Sequence, residues 1–475
     1  MTTESHSTPR HPSRRDALRI ASSGFGLLAL HGLTAGSLAR PLERQENGEH
    51  PLAPKKPHFA PRAKRVIYLC MAGAPSHVDT FDYKPELAAH DGETLSGYRR
   101  GAKLMASPWK FAQRGKSGLW ISELFPELGK QADELCLLRG MYTDVPAHPQ
   151  AFTMLHTGSF QFVRPSLGAW TLYGLGTDNQ DLPGFVTLNP PGNNGGAQNY
   201  GTAFLPATYQ GLPIGLERSA RQRSGGASSP VRDIANPRQT TAQQRAELDL
   251  VQTLNREHAR RNPDDDATEA VIESYELAFR MQAQLPGLLD LSKEKPATLA
   301  AYGVGVDETD AFARQCLIAR HLAAAGVRFI EVGLGGWDHH RNLREELPAR
   351  CRAIDRPIAG LLADLSASGL LDETLVVWGG EFGRTPYAQD SDGRDHNNRG
   401  FTTWMAGGGV KGGFSHGSTD ENGIEAVAGR TSIHDWHATI LHLLGLDHER
   451  LTFNYAGRDF RLTNVSGEVA REILA

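Results

Sequence analysis

The chain has 475 residues, 39% of them hydrophobic and 22% charged, with a formal charge of −4. That length suits one large α/β domain of roughly 400 residues or two of ordinary size, and the near-balanced charge offers no basic surface for nucleic acid. Four scattered cysteines without CxxC spacing exclude a disulfide framework and argue against a thiolate metal site; Cys70 and Cys136 lie in apolar runs and read as packing residues.

Residues 1–39 have the order of a cleavable signal. Arg14 and Arg15 precede a modest apolar stretch from Ile20, followed by small residues near Ser37 and Ala39. The paired arginines resemble a twin-arginine signal, which implies the export machinery for folded proteins and a periplasmic or extracellular destination. Residues 40–64 read as a proline- and charge-rich linker, and residues 65–475 as the folded domain.

Arg65–Met71 is an almost uninterrupted apolar run, the pattern of a strand buried on both faces. Leu135–Arg139 and Phe185–Asn189 read as further buried strands. Residues from about 240 to 295 carry long helical patterns and read as a helical insertion, with Ala270–Leu285 its clearest part. A helix is predicted over Asp310–Ala325, stopped by Gly326, then a strand over Val327–Leu334. Arg350–Ser368 reads as a helix, Thr374–Trp378 and Phe401–Ala406 as strands, and Thr439–Leu444 as part of a last helix. This order predicts an α/β fold with a mainly parallel sheet covered by helices on both faces.

Acidic and histidine clusters follow several of these strands. Asp79 comes after the first strand, and Asp82 beyond it reads as a helix cap before Lys84-Pro85. Trp337-Asp338-His339-His340 follows another strand, and Glu381 sits among glycines after a third. Arg384 offers a fork for a phosphate, sulfate or carboxylate, or an ion pair with Glu381. Asp395 and His396 lie in a glycine-bracketed loop. Ligands at the carboxyl ends of several strands can converge on one point. Carboxylates and imidazoles without thiolate suit one or two divalent ions, from Zn, Mn, Ca or Mg, with more histidines per ion favouring Zn or Mn.

These stretches, with Arg164–Trp170, AGGGVKGG and SIHDWHATILHLLGL, resemble the alkaline phosphatase superfamily. The match is to its sulfatase-like branch, the family called domain of unknown function 1501. The resemblance runs from about Arg65 to Thr463 and implies an alkaline-phosphatase-like fold. It implies metal-ligand roles for Asp79, Asp338, His340, Glu381 and His396, with Asp395 in support, and a structural place for Asp435 at the start of the last helix. Phe382 stands where relatives carry a histidine. The sequence departs at the nucleophile: the position ahead of Thr157-Gly158 that holds Cys or Ser in sulfatases holds His148 here, and no C-x-P-S-R motif is present. His148 is therefore open to roles as nucleophile, ligand or acid–base group.

Two functions follow from this reading. One is a metal-dependent hydrolase of phosphate or sulfate esters, acting on an anionic, polysaccharide-linked substrate with metal-activated water or His148, and with Arg384 and Lys411 neutralising the anion. The other is a catalytically inactive binding or scaffold protein that keeps the fold. A Ser–His–Asp triad is disfavoured because no G-x-S-x-G elbow follows a strand.

Overall fold

The computed structural model describes residues 51–94, 101–215, 238–261, 266–389 and 392–475. The signal-like segment 1–39 lies outside the described residues. The sheet strands are β1 (Arg65–Met71), β2 (Leu135–Tyr142), β3 (Phe185–Leu188), β4 (Leu212–Ile214), β5 (Phe329–Leu334) and β6 (Thr374–Gly379). A hairpin follows, β7 (Gly383–Ala388) and β8 (Arg394–Asn397), and then β9 (Phe401–Ala406), β10 (Phe414–His416) and β11 (Thr431–Ser432). The principal helices are α1 (His148–Thr157), α2 (Leu167–Leu175), α3 (Thr241–Arg261), α4 (Asp266–Leu289), α5 (Asp310–Ala324), α6 (Leu343–Ala367) and α7 (Ile433–Leu443).

Nine strands form the central sheet in the order β10-β2-β9-β6-β1-β5-β3-β4, with β11 also pairing β2. Only β9 runs antiparallel to the rest of it. The mainly parallel α/β fold predicted from the strand–helix alternation is therefore what the chain adopts.

The near-continuous apolar composition of β1 has its cause in the two cores. Ile67, Leu69 and Met71 pack on one face with α5 and α6. Val66, Tyr68 and Cys70 pack on the other with α1, α2 and α7. Each fully buried aliphatic side chain contributes about 1.5–3 kcal/mol of transfer free energy, so a strand with two apolar faces is committed to the centre of the sheet.

Several boundaries differ from the sequence reading. Helix α6 starts at Leu343, well before Arg350, and carries Pro348 and Pro357 within it; proline ordinarily argues against helix interior, which is why the early turn is hard to see in sequence. Helix α1 is not among the elements predicted from sequence, because Pro149 in its first turn and two histidines interrupt the apolar pattern. The described part of the expected linker is tied down: Leu52 is buried, Lys55 N–H donates to Leu175 O and Arg62 N–H to Leu443 O. The expected helical insertion contains α3 and α4, held partly by Arg245 gripping Glu276. No helix among the described residues is long and apolar enough to cross a membrane.

Candidate metal centre

The carboxyl ends of β1, β2, β5 and β6 all deliver loops to one edge of the sheet. Because β9 is antiparallel, the hairpin that precedes it reaches the same edge. Strand β2 leads through Pro146 to His148 at the start of α1; β5 leads to Asp338 and His340; β6 leads to Glu381 and Arg384; and β8 carries His396. Topology thus brings together residues separated by up to half the chain.

His148, Asp338, His340 and His396 can each offer one ligand atom within 4.8 Å of the others. Asp338 Oδ1 lies 3.2 Å from His148 Nε2, 2.9 Å from His340 Nε2 and 3.5 Å from His396 Nε2. The Nε2 atoms of His340 and His396 are 2.9 Å apart. All three rings are oriented from behind. His148 Nδ1 is 2.6 Å from Glu381 Oε1, His340 Nδ1 is 2.5 Å from Gln389 Oε1, and His396 Nδ1 is 2.5 Å from Pro146 O. Each of these oxygens accepts, so each Nδ1 carries the proton and each neutral ring turns its Nε2 lone pair toward the shared point. Lone pairs aimed at one another at such distances require a cation or a proton between them. A divalent ion fits this donor set.

Charge on the surrounding groups reinforces the arrangement. Burial opposes ionisation of His148, but hydrogen bonds to Asp338 and Glu381 outweigh it and push the group up to about 9. Burial likewise disfavours the Asp338 carboxylate, yet His148, His396 and Arg384 hold it well below the usual carboxylate range. Phe382 packs its ring 4.9 Å from the His148 ring and 4.6 Å from that of His396, an apolar wedge where relatives are expected to carry a histidine. The centre opens to solvent on one side, where the Asp338 side chain is 45% exposed and His340 30%.

Not every residue singled out by sequence joins the four. Glu381 is fully buried and acts behind His148, accepting also from Gly73 N–H at 3.0 Å. Asp395 accepts from the His396 backbone N–H, and its nearest carboxylate oxygen is 4.0 Å from His340 Nδ1, on the side of the ring facing away from the shared point.

Asp79 is a correction. It is completely buried, with one oxygen 2.6 Å from Arg394 Nε and the other 2.9 Å from a terminal guanidinium nitrogen, and Ser76 Oγ donates to it as well. These partners satisfy the carboxylate, and Asp79 lies outside the cluster formed by His148, Asp338, His340 and His396. Arg384 is a second correction. Its guanidinium is 1% exposed, pairs with Asp338 at 2.6 Å rather than with Glu381, and donates to the carbonyls of Gly73, Ala74 and Arg394. It orients Asp338 from below and presents no open fork to an anion. Lys411 donates to Glu472 O near the chain end.

Of the paired histidines, His339 points inward, and burial with Arg384 and Arg350 lowers it to about 4. Asp82 caps nothing: Lys84 occupies the N-cap of the following short helix, and Asp82 is buried against Lys84 and Thr419. Asp435 is structural as expected, closing a capping box with Ser432 at the start of α7. Gln389, the Pro146 carbonyl and Arg394 escaped the sequence reading. Only Arg394 carried any signal, as a charge beside Asp395-His396.

The fold and the site together define an α/β protein with a three-histidine, one-aspartate candidate metal centre at the carboxyl edge of its sheet. Residues 63–474 match the family described as Protein of unknown function (DUF1501), and the chain belongs to that family. No curated protein matches it by sequence. Solved structures similar to it include the lipoteichoic acid synthase LtaP from Listeria monocytogenes, at 9% identity over 88% of this chain and 78% of that one, with a TM-score of 0.36. The PsFucS1 sulfatase from Pseudoalteromonas sp. is 12% identical over 95% and 76% of the two chains, with a TM-score of 0.35. The alkaline phosphatase from the Antarctic bacterium TAB5 is 11% identical over 81% and 99%, with a TM-score of 0.33. Likenesses this distant transfer no residue roles to the chain.

Proposed function

We propose that this protein is an exported hydrolase of phosphate or sulfate esters that works with a divalent ion held by His148, His340, His396 and Asp338. One observation carries the reading: three imidazoles, each fixed through Nδ1 by an oxygen acceptor, turn their Nε2 atoms toward one carboxylate oxygen. An ion there would supply the Lewis acid that polarises the ester and acidifies a water.

The chain's own residues set geometry and charge. Glu381 holds the His148 ring, Gln389 the His340 ring and Pro146 O the His396 ring, while Arg384 holds the carboxylate. Three neutral imidazoles, three carboxylates (Asp338, Glu381 and Asp395), one guanidinium and a divalent ion would sum to zero, the positive charge on offer being that of the ion itself. That charge, on the open side of the site, favours an anionic substrate, in keeping with a polysaccharide-linked ester outside the cytoplasm. In this reading His148 is a ligand and not a nucleophile, because its second nitrogen already belongs to the ion. The inward commitment of Arg384 favours one rival, a binding protein that holds the ion and turns nothing over.

Elemental analysis of natively folded protein, followed by assay on aryl phosphate, phosphodiester and aryl sulfate substrates, separates the two. The expected result is bound Zn or Mn and hydrolysis of at least one ester. Both should be lost in Asp338→Ala and His340→Ala, with turnover falling by at least roughly 100-fold, since even the groups that orient ligands are worth 10–100-fold. Metal without turnover across the panel supports the binding protein; absence of metal defeats both.

A further inference from the structure

A second cluster lies inside the sheet's other core. Cys70 comes from β1, Glu331 from β5 and His156 from the last turn of α1, and all three are buried. They come from strands and a helix far apart in sequence, so no short spacing motif marks them. Cys70 Sγ is 4.0 Å from His156 Nε2, which is 3.3 Å from Glu331 Oε2, and one ligand atom from each residue lies within 4.8 Å of the others. His156 Nδ1 donates to Phe152 O at 2.8 Å, so Nε2 is the nitrogen that faces the thiol and the carboxylate.

Two neighbours add a second line of support. Register places Tyr68 and Thr187 on either side of Glu331 in one row across the sheet. The Thr187 hydroxyl is buried without a hydrogen bond, and the buried Tyr68 hydroxyl has the Cys70 thiol as its partner. Buried polar groups are ordinarily satisfied, and an orphan usually marks an unplaced water or ion. Here one orphan, and a second hydroxyl that meets the thiol itself, flank a thiol, an imidazole and a carboxylate.

We infer that Cys70, His156 and Glu331 form a second, buried divalent-metal site for a borderline-soft ion such as Zn, with the Tyr68 hydroxyl or a water as fourth donor. The charge balance permits it. Without metal, the imidazolium of His156 offsets Glu331 and Cys70 is a neutral thiol. On binding, the ion displaces two protons, one from the His156 nitrogen and one from the Cys70 sulfur, and the site remains neutral. No net charge enters the core, so the usual penalty for a buried unpaired charge does not arise. Thiolate, imidazole and carboxylate together select Zn over Mg or Ca. The ion would join α1 to β1 and β5. Because α1 begins at His148, it would anchor the helix that presents this ligand to the open centre.

Cobalt is the direct probe, because a thiolate bound to Co²⁺ gives a charge-transfer band in the near ultraviolet that nitrogen and oxygen ligands do not. Full-length protein folded with Co²⁺ should show that band and two equivalents of metal per chain. Cys70→Ser should abolish the band and one equivalent, whereas a His340→Ala/His396→Ala double variant should keep the band while losing the other equivalent. Should Cys70→Ser fail to fold, the isosteric Glu331→Gln should lower the metal count while leaving the open centre loaded. Absence of the thiolate band, or a band that survives Cys70→Ser, would overturn the proposal and leave a buried His156–Glu331 ion pair only. The open centre is scored by its own double variant, so either site can fail without the other.

Discussion

His148 shows how two carboxylates set the state of a single ring. In metal-free protein its folded-state value of about 9 stands above the ordinary 6.5. A raised histidine contributes stability that is complete below 6.5 and is lost as pH rises through about 9. The full shift corresponds to about 3 kcal/mol; solvent still reaches the ring, and screening brings the expected loss to about 2 kcal/mol. Denaturant titrations of chelated protein between pH 6 and 10 should show that decline, and His148→Ala should remove it. The buried Asp79–Arg394 pair makes a different prediction. Removing one partner of a buried ion pair costs about 3–5 kcal/mol because the other charge is stranded. Asp79→Ala should therefore lose stability on that scale while its folded fraction keeps the metal stoichiometry of the unaltered protein. A loss of metal from well-folded Asp79→Ala would restore Asp79 as a ligand.

At the scale of elements, the sharp turn after β1 is where the site depends most on backbone shape. Gly73 has φ +110°, and a Cβ there would sit 2.8 Å from the backbone nitrogen of Asp338 and 2.9 Å from that of Trp337. The same residue donates to Glu381 and accepts from Arg384. Gly73→Ala combines a disfavoured dihedral with a backbone clash. It should push the Asp338 loop outward and weaken metal binding by at least tenfold, as read by competition with a chromophoric chelator. The hairpin of β7 and β8 supplies the other local device. Its register shifts between Arg394 and His396, and such a bulge re-aims side chains two apart that would otherwise share a face. Arg394 goes inward to Asp79 and His396 outward to the centre. Glycines around Glu381 were visible in the sequence, whereas the bulge was not, because it exists only in the pairing of two short strands. Strands with two buried faces were legible throughout, since their apolar runs need no knowledge of the partner.

At the scale of the whole molecule, the four ligands come from three separate parts of the chain: the start of α1, the loop after β5 and the strand β8. An ion that binds only the folded arrangement stabilises it by mass action, about 3–4 kcal/mol at 100 to 1,000 times its dissociation constant. With a specific unfolding entropy typical of globular proteins over some 400 residues, chelation should lower Tm by about 4 °C. Readdition of Zn²⁺ or Mn²⁺ should restore it and Mg²⁺ should not. An unchanged Tm would argue that nothing is bound.

The linear chain determined which strands are central, where loops carry acid and imidazole, and that no C-x-P-S-R nucleophile motif is present, because apolar runs and residue types are local properties. It did not determine partners. Arg384 lies three residues from Glu381 yet pairs with Asp338, and Asp79 is bound to an arginine more than three hundred positions away. Those choices, the inward turn of His339 and the meeting of Cys70 with His156 and Glu331 were decided by tertiary structure alone. A buried charge takes whichever counter-charge the packed sheet brings within reach, and distance along the chain has no part in that selection.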